Sequence, residues 1–383
     1  MSELPLDNTI KKDSQPNQPK KPLRLFIKSF LIAFGSFSIT IAIGAFAFFS
    51  TVRPPEIPSL TVVVSEDWGA GESASSESYQ SSEYFLNPLD MQLGGLAAPA
   101  RFTDDDRRDM FFTFLIIGLN EGQNANTVMV ASYNAISGEV NLISIPRDIP
   151  VHETRNGRKL ASSYLIGMGG GRGMEGGVAQ VQRDIMTVIG FIPDFYIVID
   201  YDAFFSIIDA LDGIEIYVPI RMRYDDPYQN LHIDIQPGLQ HMDSATALDF
   251  ARFRQANRNS GYPDLPDGDL GRIRNQQAVV NAVAERLLRP ASLFRVPEFI
   301  GIFNDSVHTN LSIGNLTWFA TQLHGIRGTD VLSTHTMPGS HSGLSNGVWY
   351  QFLDAQAVVE LVNETINPFY EDIELRDLNI VRN

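Results

Sequence analysis

Residues 111–118, FFTFLIIG, decide the fold class of this 383-residue chain. The run is apolar apart from one threonine and ends in glycine, which is the pattern of a strand buried on both faces of a sheet. Apolar runs of strand length follow at residues 127–133 and 140–145, with turn-forming residues at 134–138 between them. These three segments predict the beginning of a buried sheet.

Further strand and helix patterns alternate toward the C-terminus. The other predicted strands are residues 195–199, 214–218 and 331–336. The predicted helices are residues 177–189, 201–211 and 272–288, and one that begins after Asp243 as its N-cap. Hydrophobic strands that alternate with helices predict an α/β domain of three layers, α/β/α, with a central mixed β-sheet covered by helices on both faces.

The overall charge and the lack of cysteine exclude several functions. The chain carries a formal net charge of −16, so binding of nucleic acid through a basic surface is not expected. Because the sequence contains no cysteine, it has no disulfide, no thiolate zinc site and no cysteine nucleophile.

The N-terminal segment predicts a membrane anchor. Residues 29–52 hold no charged side chain, and about 24 helical residues span roughly 36 Å, enough to cross a bilayer. Basic residues concentrate in 1–28, which predicts a cytoplasmic N-terminus. A buried core helix is the alternative. We therefore expect a single-pass protein of the cell membrane, with a cytoplasmic tail (1–28), a transmembrane helix (29–52), a linker (53–109) and an extracytoplasmic domain (110–383).

Arginines beside apolar segments predict an anion-binding pocket. These arginines are Arg147, Arg252, Arg254 and Arg272. A planar guanidinium group binds two phosphate oxygens at once, which suits it to an anionic ligand. On an extended segment, Arg252 and Arg254 would point to the same side, because side chains alternate with a period of two. The alternative for this pair is a solvated segment with surface ion pairs.

The motifs that hold these cations occur in an order that resembles the LytR-CpsA-Psr family of cell-wall glycopolymer ligases. The motifs are SIPRD at 144–148, Lys159 with Tyr164, ARFR at 251–254 and DLGRIRNQQ at 269–277. The similarity extends from about residue 112 to the C-terminus. It implies an extracytoplasmic domain behind one membrane span.

For function, the resemblance implies a membrane-anchored phosphotransferase. Such an enzyme attaches a polyprenyl-diphosphate-linked anionic glycopolymer, of teichoic acid or capsule type, to peptidoglycan, and some members also hydrolyse the diphosphate. The partners implied are the lipid-linked polymer, peptidoglycan and the membrane. Apolar residues at 195–197 and 204–208 either fill the core or line a cavity for the lipid tail.

The resemblance also implies roles for individual residues. The residues expected to bind the diphosphate are Arg147, Lys159, Arg252, Arg254, Arg272 and Gln276. Arg147 and Arg272 are expected to neutralise charge during phosphoryl transfer. Asp269 is the candidate acceptor for the proton of the incoming hydroxyl. For Lys159, a surface lysine is the alternative interpretation.

Two positions depart from the family pattern at the expected metal site. The family places one aspartate after the first strand and another before the second, and both hold magnesium; here these positions are Asn120 and Asn126. Magnesium prefers anionic oxygen ligands. Either Mg²⁺ is held more weakly at Asn120 and Asn126, or it arrives with the diphosphate. The departure leaves a second functional interpretation, a catalytically weakened envelope protein that binds lipid diphosphate or has a regulatory role.

Three further features have local interpretations. The glycine-rich segment 167–177 predicts a mobile lip beside the pocket. Arg221 and Arg223 are either contacts for an anionic polymer or ordinary surface residues. Arg274 is expected to point away from Arg272, because helix residues two apart do not share a face.

Overall fold

A computed structural model describes residues 52–57, 102–152, 158–229, 231–289, 292, 295–322 and 332–381. The chain divides into two compact units, 1–53 and 54–383, and the fold described here belongs to the second. The predicted cytoplasmic tail, nearly all of the predicted transmembrane helix and most of the predicted linker lie outside the described residues. Within the described ranges, every helix is too short or too polar to span a bilayer.

The strands are numbered in chain order. They are β1 (Phe111–Leu119), β2 (Ala125–Asn134), β3 (Glu139–Ile145), β4 (Phe195–Ile199), β5 (Ile214–Val218), β6 (Met222–Asp226), β7 (Leu231–Ile235), β8 (Gly238–Met242), β9 (His308–Thr309), β10 (Leu332–Thr336), β11 (Gly339–Ser345) and β12 (Val348–Leu353). The strands predicted at 111–118, 127–133, 140–145, 195–199 and 214–218 are therefore confirmed, as is the described part of 331–336.

The helices are α1 (Ser163–Met168), α2 (Gly173–Ile189), α3 (Tyr201–Ala210), α4 (Ser244–Arg252), α5 (Asp269–Leu287), α6 (Val296–Ser306), α7 (Ile313–Gln322) and α8 (Ala355–Thr365). The predicted N-cap of α4 is confirmed, because Asp243 Oδ1 accepts a hydrogen bond from the Thr246 amide at 2.8 Å. Helix α5 begins at Asp269, about one turn before the predicted start. This earlier start brings Asp269 and Arg272 onto the same helix.

The central sheet is mixed, as predicted. Its strand order is β10-β3-β2-β1-β4-β9. Strands β1, β2 and β3 form an antiparallel meander, whereas β4 joins β1 and β10 joins β3 in parallel. The short strand β9 is antiparallel to β4. The parallel pair β1–β4 places the C-terminal ends of two strands side by side, where α/β proteins commonly bind ligands.

Both faces of β1 are buried, which explains its nearly continuous apolar sequence. Leu115 and Ile117 pack into a core that includes residues of α2 and α8. The alternate residues Phe112 and Phe114 face the other side, where their rings lie 5.2 Å from the ring of Phe319 on α7. Because successive side chains of a strand point to opposite faces, helices cover both sides of the sheet. The three-layer arrangement predicted from the sequence follows from these contacts.

A second core lies beside the sheet. It contains buried residues of the β5–β8 and β6–β7 ribbons together with residues of α3, α4 and α5. Helix α5 contacts both the ribbon core and the sheet, because Val279 packs with the ribbons and Val280 packs with Met129 and Leu142 of the sheet. The space between the sheet and the ribbon core is therefore bounded by α5.

The globular fold begins earlier than residue 110, the boundary expected from the sequence. Phe102 stacks on Phe369 with ring centroids 4.0 Å apart. Arg107 forms a buried ion pair with Asp194, with Nη2 and Oδ1 2.6 Å apart. Thr113 donates to the same carboxylate from its amide and its hydroxyl, each at 2.8 Å. Burial raises the pKa of Asp194, although Arg107 and Thr113 act in the opposite direction. Residues 102–109 therefore belong to the domain.

The two ends of the glycine-rich segment 167–177 pack helices together, and the segment is not part of the pocket lining, where a lip was expected. A Cβ atom added to Gly167 would lie 2.2 Å from the Gly176 carbonyl oxygen. Added to Gly177, it would lie 2.9 Å from the buried Tyr164 ring. These glycines allow α1 and α2 to approach closely, and the segment does not line the pocket described below.

Candidate anion-binding site

A cavity of about 460 Å³ lies between the sheet, the ribbon core and α5. Much of its lining is apolar, including Ile116, Met129, Phe204, Leu231, Ile233 and Val279. The remaining lining is rich in side chains that bind anions or donate hydrogen bonds, namely Asn120, Asn126, Arg147, Arg252, Arg254, Arg272 and Gln276. A cavity with both kinds of lining suits a ligand that has an anionic part and an apolar part.

Three separate chain segments supply the four arginines. Arg147 lies two residues after β3, and Arg252 and Arg254 lie at and just beyond the end of α4. Arg272 is on α5, and Gln276 shares its helix face because residues four apart are neighbours. Of the residues predicted to bind the diphosphate, the structure therefore brings five together and leaves only Lys159 outside the lining.

The predicted geometry of the Arg252 and Arg254 pair needs correction. Arg252 is the last residue of helix α4, and the chain becomes extended only at Phe253, with φ −61° and ψ 132°. The two side chains therefore do not alternate along a strand. They line the same cavity because the helix ends between them, with Phe253 buried beneath. The Arg252 guanidinium also lies 5.4 Å from the centre of the Tyr201 ring, in a cation–π contact.

Arg272 is buried close to a second cation and one carboxylate. Its side chain is 8% exposed, and its Nη2 atom donates to Asp269 Oδ2 at 3.0 Å. Arg147 Nη2 lies 3.9 Å from Asp269 Oδ1. Burial, and then the charge of Arg147, lower the pKa of Arg272 to about 10. Arg272 is therefore still a cation at neutral pH, and one carboxylate is shared between two guanidinium groups.

Asp269, the candidate proton acceptor, contacts these arginines but is not among the residues that line the cavity. Its carboxylate is held by Arg272 from three residues further along α5. The structure thus places it behind the arginines, where it orients them. A direct contact with an incoming hydroxyl would require Arg272 to release it.

Asn120 and Asn126 line the cavity, but their oxygens already accept hydrogen bonds. Asn126 Oδ1 accepts from Arg147 Nη1 at 2.6 Å, and Asn120 Oδ1 accepts from the Asn124 amide at 2.9 Å. Both oxygens are neutral, whereas magnesium prefers carboxylates. Within the described ranges, histidine, aspartate and glutamate side chains do not gather in threes at any position suited to a metal ion. The residues at 120 and 126 do not fit a magnesium ion held by the protein.

Lys159 lies near the site without lining it. Its Nζ atom is 2.7 Å from Asp148 Oδ1 and 5.8 Å from the centre of the Tyr350 ring. The neighbouring backbone is tied to Arg147, because the Ala161 amide donates to the Arg147 carbonyl at 2.9 Å. The charge of Lys159 is therefore matched by its own carboxylate, whereas Arg147 and Arg272 share the carboxylate of Asp269.

The other arginines singled out from the sequence lie outside the cavity lining. Arg274 Nη2 donates to the Pro266 carbonyl at 2.9 Å, so it points away from the cavity as predicted. The guanidinium groups of Arg221 and Arg223 each lie 5.2 Å from the centre of the Tyr262 ring.

Asp200 and Tyr201 line the cavity and were missed from the sequence. Asp200 caps α3, with Oδ1 accepting from the Ala203 amide at 2.9 Å. Burial raises the pKa of Tyr201, and the Arg252 charge lowers it in part. The two residues directly follow β4, just as Asn120 directly follows the parallel strand β1. Recognition of β1 and β4 as parallel neighbours would have indicated both positions.

Two side-chain amides fix helix α5 between the arginine-bearing segments. Gln277 Nε2 donates to the Ser144 hydroxyl at 3.0 Å and to the His335 carbonyl at 2.8 Å. Asn275 Nδ2 donates to the Phe250 carbonyl of α4 at 3.0 Å. Asn275 is buried against α4. Helix α5 is therefore attached both to β3, which precedes Arg147, and to α4, which carries Arg252.

The fold and the arginine site together define a class of protein. The LytR-CpsA-Psr family model (LytR_cpsA_psr) matches residues 95–367. The match covers well over half of the 383 residues. The chain belongs to this family, which confirms the resemblance read from the motifs.

Individual relatives agree with this assignment. The chain is 26% identical to the regulatory protein MsrR of Staphylococcus aureus (strain COL) over 250 residues, which are 63% of this chain and 69% of the relative. It is 24% identical to the polyisoprenyl-teichoic acid–peptidoglycan teichoic acid transferase TagU of Bacillus cereus over 258 residues, which are 66% of this chain and 77% of the relative. The crystal structure of B. subtilis TagV has the same fold, with a TM-score of 0.54 and 20% identity. The match covers 67% of this chain and 96% of the TagV chain.

Proposed function

We propose that this chain is a membrane-anchored phosphotransferase that attaches a polyprenyl-diphosphate-linked anionic glycopolymer, of teichoic acid or capsule type, to peptidoglycan. The observation that supports this proposal is the lining of one cavity by four arginines and a set of apolar side chains. A lipid diphosphate needs both, because its phosphates require cationic partners and its tail requires apolar surface.

In the proposed reaction, a hydroxyl oxygen of peptidoglycan forms a bond to the sugar-linked phosphorus of the diphosphate. The bond from that phosphorus to the bridging oxygen breaks, and polyprenyl phosphate leaves. Charge develops on the phosphoryl oxygens and on the leaving group, and the guanidinium groups of Arg147 and Arg272 stabilise it. The proton of the attacking hydroxyl passes to Asp269 once the ligand phosphates draw Arg272 away from that carboxylate.

The cellular location forms part of the proposal. Residues 29–52 would anchor the chain in the cell membrane, and the basic residues before them favour a cytoplasmic N-terminus. The catalytic domain would then lie outside the cytoplasm, next to lipid-linked polymer and peptidoglycan. Its acidic composition agrees with a partner other than nucleic acid.

A transfer assay with the full-length protein in detergent micelles tests the proposal. The substrates are a polyprenyl-diphosphate-linked polymer with a radiolabel in the polymer and purified peptidoglycan. We expect label to enter the peptidoglycan as polyprenyl phosphate is released, and Arg252→Ala with Arg254→Ala to abolish the transfer. Arg274→Ala is the matched control, because this arginine points away from the cavity. Failure of the parent protein to bind or transfer the substrate would refute the proposal.

A second candidate function is a lipid-diphosphate-binding or regulatory protein with weakened catalysis. It is favoured by the amide groups at Asn120 and Asn126 and by the engagement of Asp269 with Arg272. In the same assay, tight binding of the lipid diphosphate without transfer of label would select this function.

A further inference from the structure

We propose that the Arg147 guanidinium, held by Asn126, supplies the positive charge that a metal ion would otherwise bring, so that the pocket binds a lipid diphosphate without a divalent cation. The inference rests on the proposed function, because it concerns the same ligand. It follows from hydrogen bonding at Asn126, from the charge of the lining and from the surroundings of the carboxylates near Asn120 and Asn126.

The first observation is the contact between Asn126 and Arg147. The Asn126 Oδ1 atom accepts from Arg147 Nη1 at 2.6 Å. A magnesium ion on that oxygen would sit at about 2.0–2.1 Å from it, next to a guanidinium group of the same sign. An aspartate at this position would neutralise Arg147, whereas the amide orients Arg147 and leaves its charge available for the ligand.

The second observation is the charge of the lining. Four arginines and one carboxylate, that of Asp200, line the cavity. The side chains of the lining therefore carry a net charge of +3. Asp269, bound to Arg272 behind the lining, lowers the total to +2. A diphosphate esterified at both ends carries one negative charge on each phosphate at neutral pH. The side chains therefore match the ligand without a metal ion, and a divalent cation would leave excess positive charge.

The third observation is that carboxylates near the asparagines are occupied or outside the lining. Asp200 Oδ1 caps helix α3, and Asp148 is paired with Lys159. Glu121 follows Asn120 in the chain but is exposed and does not line the cavity. These carboxylates do not replace the two aspartates that are missing at positions 120 and 126.

The test uses the full-length protein in detergent micelles and a diphosphate esterified at both ends, geranylgeranyl-diphosphate-linked N-acetylglucosamine, whose affinity is measured by isothermal titration calorimetry. One series contains excess EDTA and the other contains excess Mg²⁺. We expect the Kd of the parent protein to differ by less than about threefold between the series. A Kd that is at least about tenfold weaker in EDTA, the size of one charge-assisted contact, would overturn the inference and leave the proposed function intact. An absence of binding in both series would instead refute the proposed function.

A pair of variants tests the role assigned to Asn126. The double substitution Asn120→Asp and Asn126→Asp should weaken binding in EDTA by at least about tenfold, and Mg²⁺ should restore it. Asn134→Asp is the matched control, because Asn134 lies at the other end of β2 and accepts from the Ile136 and Ser137 amides. If the double variant binds in EDTA as tightly as the parent, the role assigned to the Arg147 charge in binding the diphosphate is refuted. If it fails to fold, the measurement on the parent protein still decides the inference.

Discussion

Two arginines of this protein are equally buried, yet their surroundings differ. Arg107 pairs with Asp194, and the two side chains are 7% and 2% exposed. Arg272 pairs with Asp269, with exposures of 8% and 16%. Around Arg107 the charges balance one to one, and Thr113 donates two further hydrogen bonds to the carboxylate. Around Arg272 one carboxylate faces a second guanidinium, that of Arg147.

The difference shows that burial alone does not distinguish a structural arginine from a binding arginine. A buried charge is tolerated when a partner neutralises it, and the Arg107 pair meets this condition within the protein. The Arg272 group meets it only when an anion enters the cavity. The charge balance, rather than the depth of burial, identifies the site.

The largest effect is expected from breaking the balanced pair. Arg107→Met leaves the Asp194 carboxylate buried without its cation, which should lower the free energy of unfolding by about 3–5 kcal/mol. Urea denaturation of the detergent-solubilised protein, followed by circular dichroism, measures this change. The double variant Arg107→Met with Asp194→Asn should recover most of the loss. An unchanged unfolding midpoint in the single variant would show that the pair is not structural.

Removal of single cations from the cavity should affect ligand affinity and leave folding largely unchanged. Arg252→Ala and Arg254→Ala should each weaken binding of geranylgeranyl diphosphate by about 1.5–3 kcal/mol, the size of a lost charge-assisted hydrogen bond. Isothermal titration calorimetry measures the affinity, with Arg274→Ala as the control. If both variants bind as tightly as the parent, Arg252 and Arg254 are not part of the binding site.

The pH dependence of binding should report Arg272 directly. Its pKa is lowered to about 10 in the ligand-free protein, so Arg272 is protonated below that pH and loses its charge as the pH rises through it. Affinity for the diphosphate should therefore fall above about pH 10. The Arg272→Met variant keeps every other titrating group of the parent protein. It should bind the diphosphate more weakly at pH 8, and its affinity should fall less as the pH rises. Equal falls in the two proteins would attribute the pH effect to other residues.

The stability of the same variant should also distinguish Arg272 from Arg107. Folding lowers the pKa of Arg272 from the ordinary value of 12.5, so this side chain stays charged at neutral pH but its charge lowers the stability of the folded, ligand-free protein. Arg272→Met should therefore lower the free energy of unfolding by less than about 1 kcal/mol or raise it. Urea denaturation alongside Arg107→Met tests this contrast. A loss as large as that of Arg107→Met would mean that the two pairs are equivalent.

The smallest effect is expected at Lys159. Its ammonium group already pairs with Asp148, and its side chain is 28% exposed, so Lys159→Gln should change diphosphate affinity by about 0.5 kcal/mol or less. Calorimetry under the conditions used for Arg254→Ala provides the comparison. A loss as large as that of Arg254→Ala would place Lys159 in the binding site after all.

Local patterns predicted the framework well because each depends on a few neighbouring residues. The run at 111–118 became a strand buried on both faces, and Asp243 became a helix cap. The gathering of Arg147, Arg252 and Arg272 was also predictable, since the motifs occur in the order typical of the family.

Features that depend on long-range contacts were not accessible in the same way. The sequence does not show that Asp148 neutralises Lys159 or that Asn126 holds Arg147. Asp200 enters the cavity lining at the end of β4, and only the parallel pairing of β1 with β4 brings it there. Local propensity does not determine such pairings.

The amides that hold α5 in place have a consequence for how the protein responds to ionic strength. Gln277 and Asn275 attach this helix to β3 and α4 through buried, uncharged hydrogen bonds. Dissolved salt screens attraction between a guanidinium and a phosphate, but it leaves such neutral contacts nearly unchanged. Saline surroundings should therefore weaken ligand capture while the arrangement of the arginines stays the same.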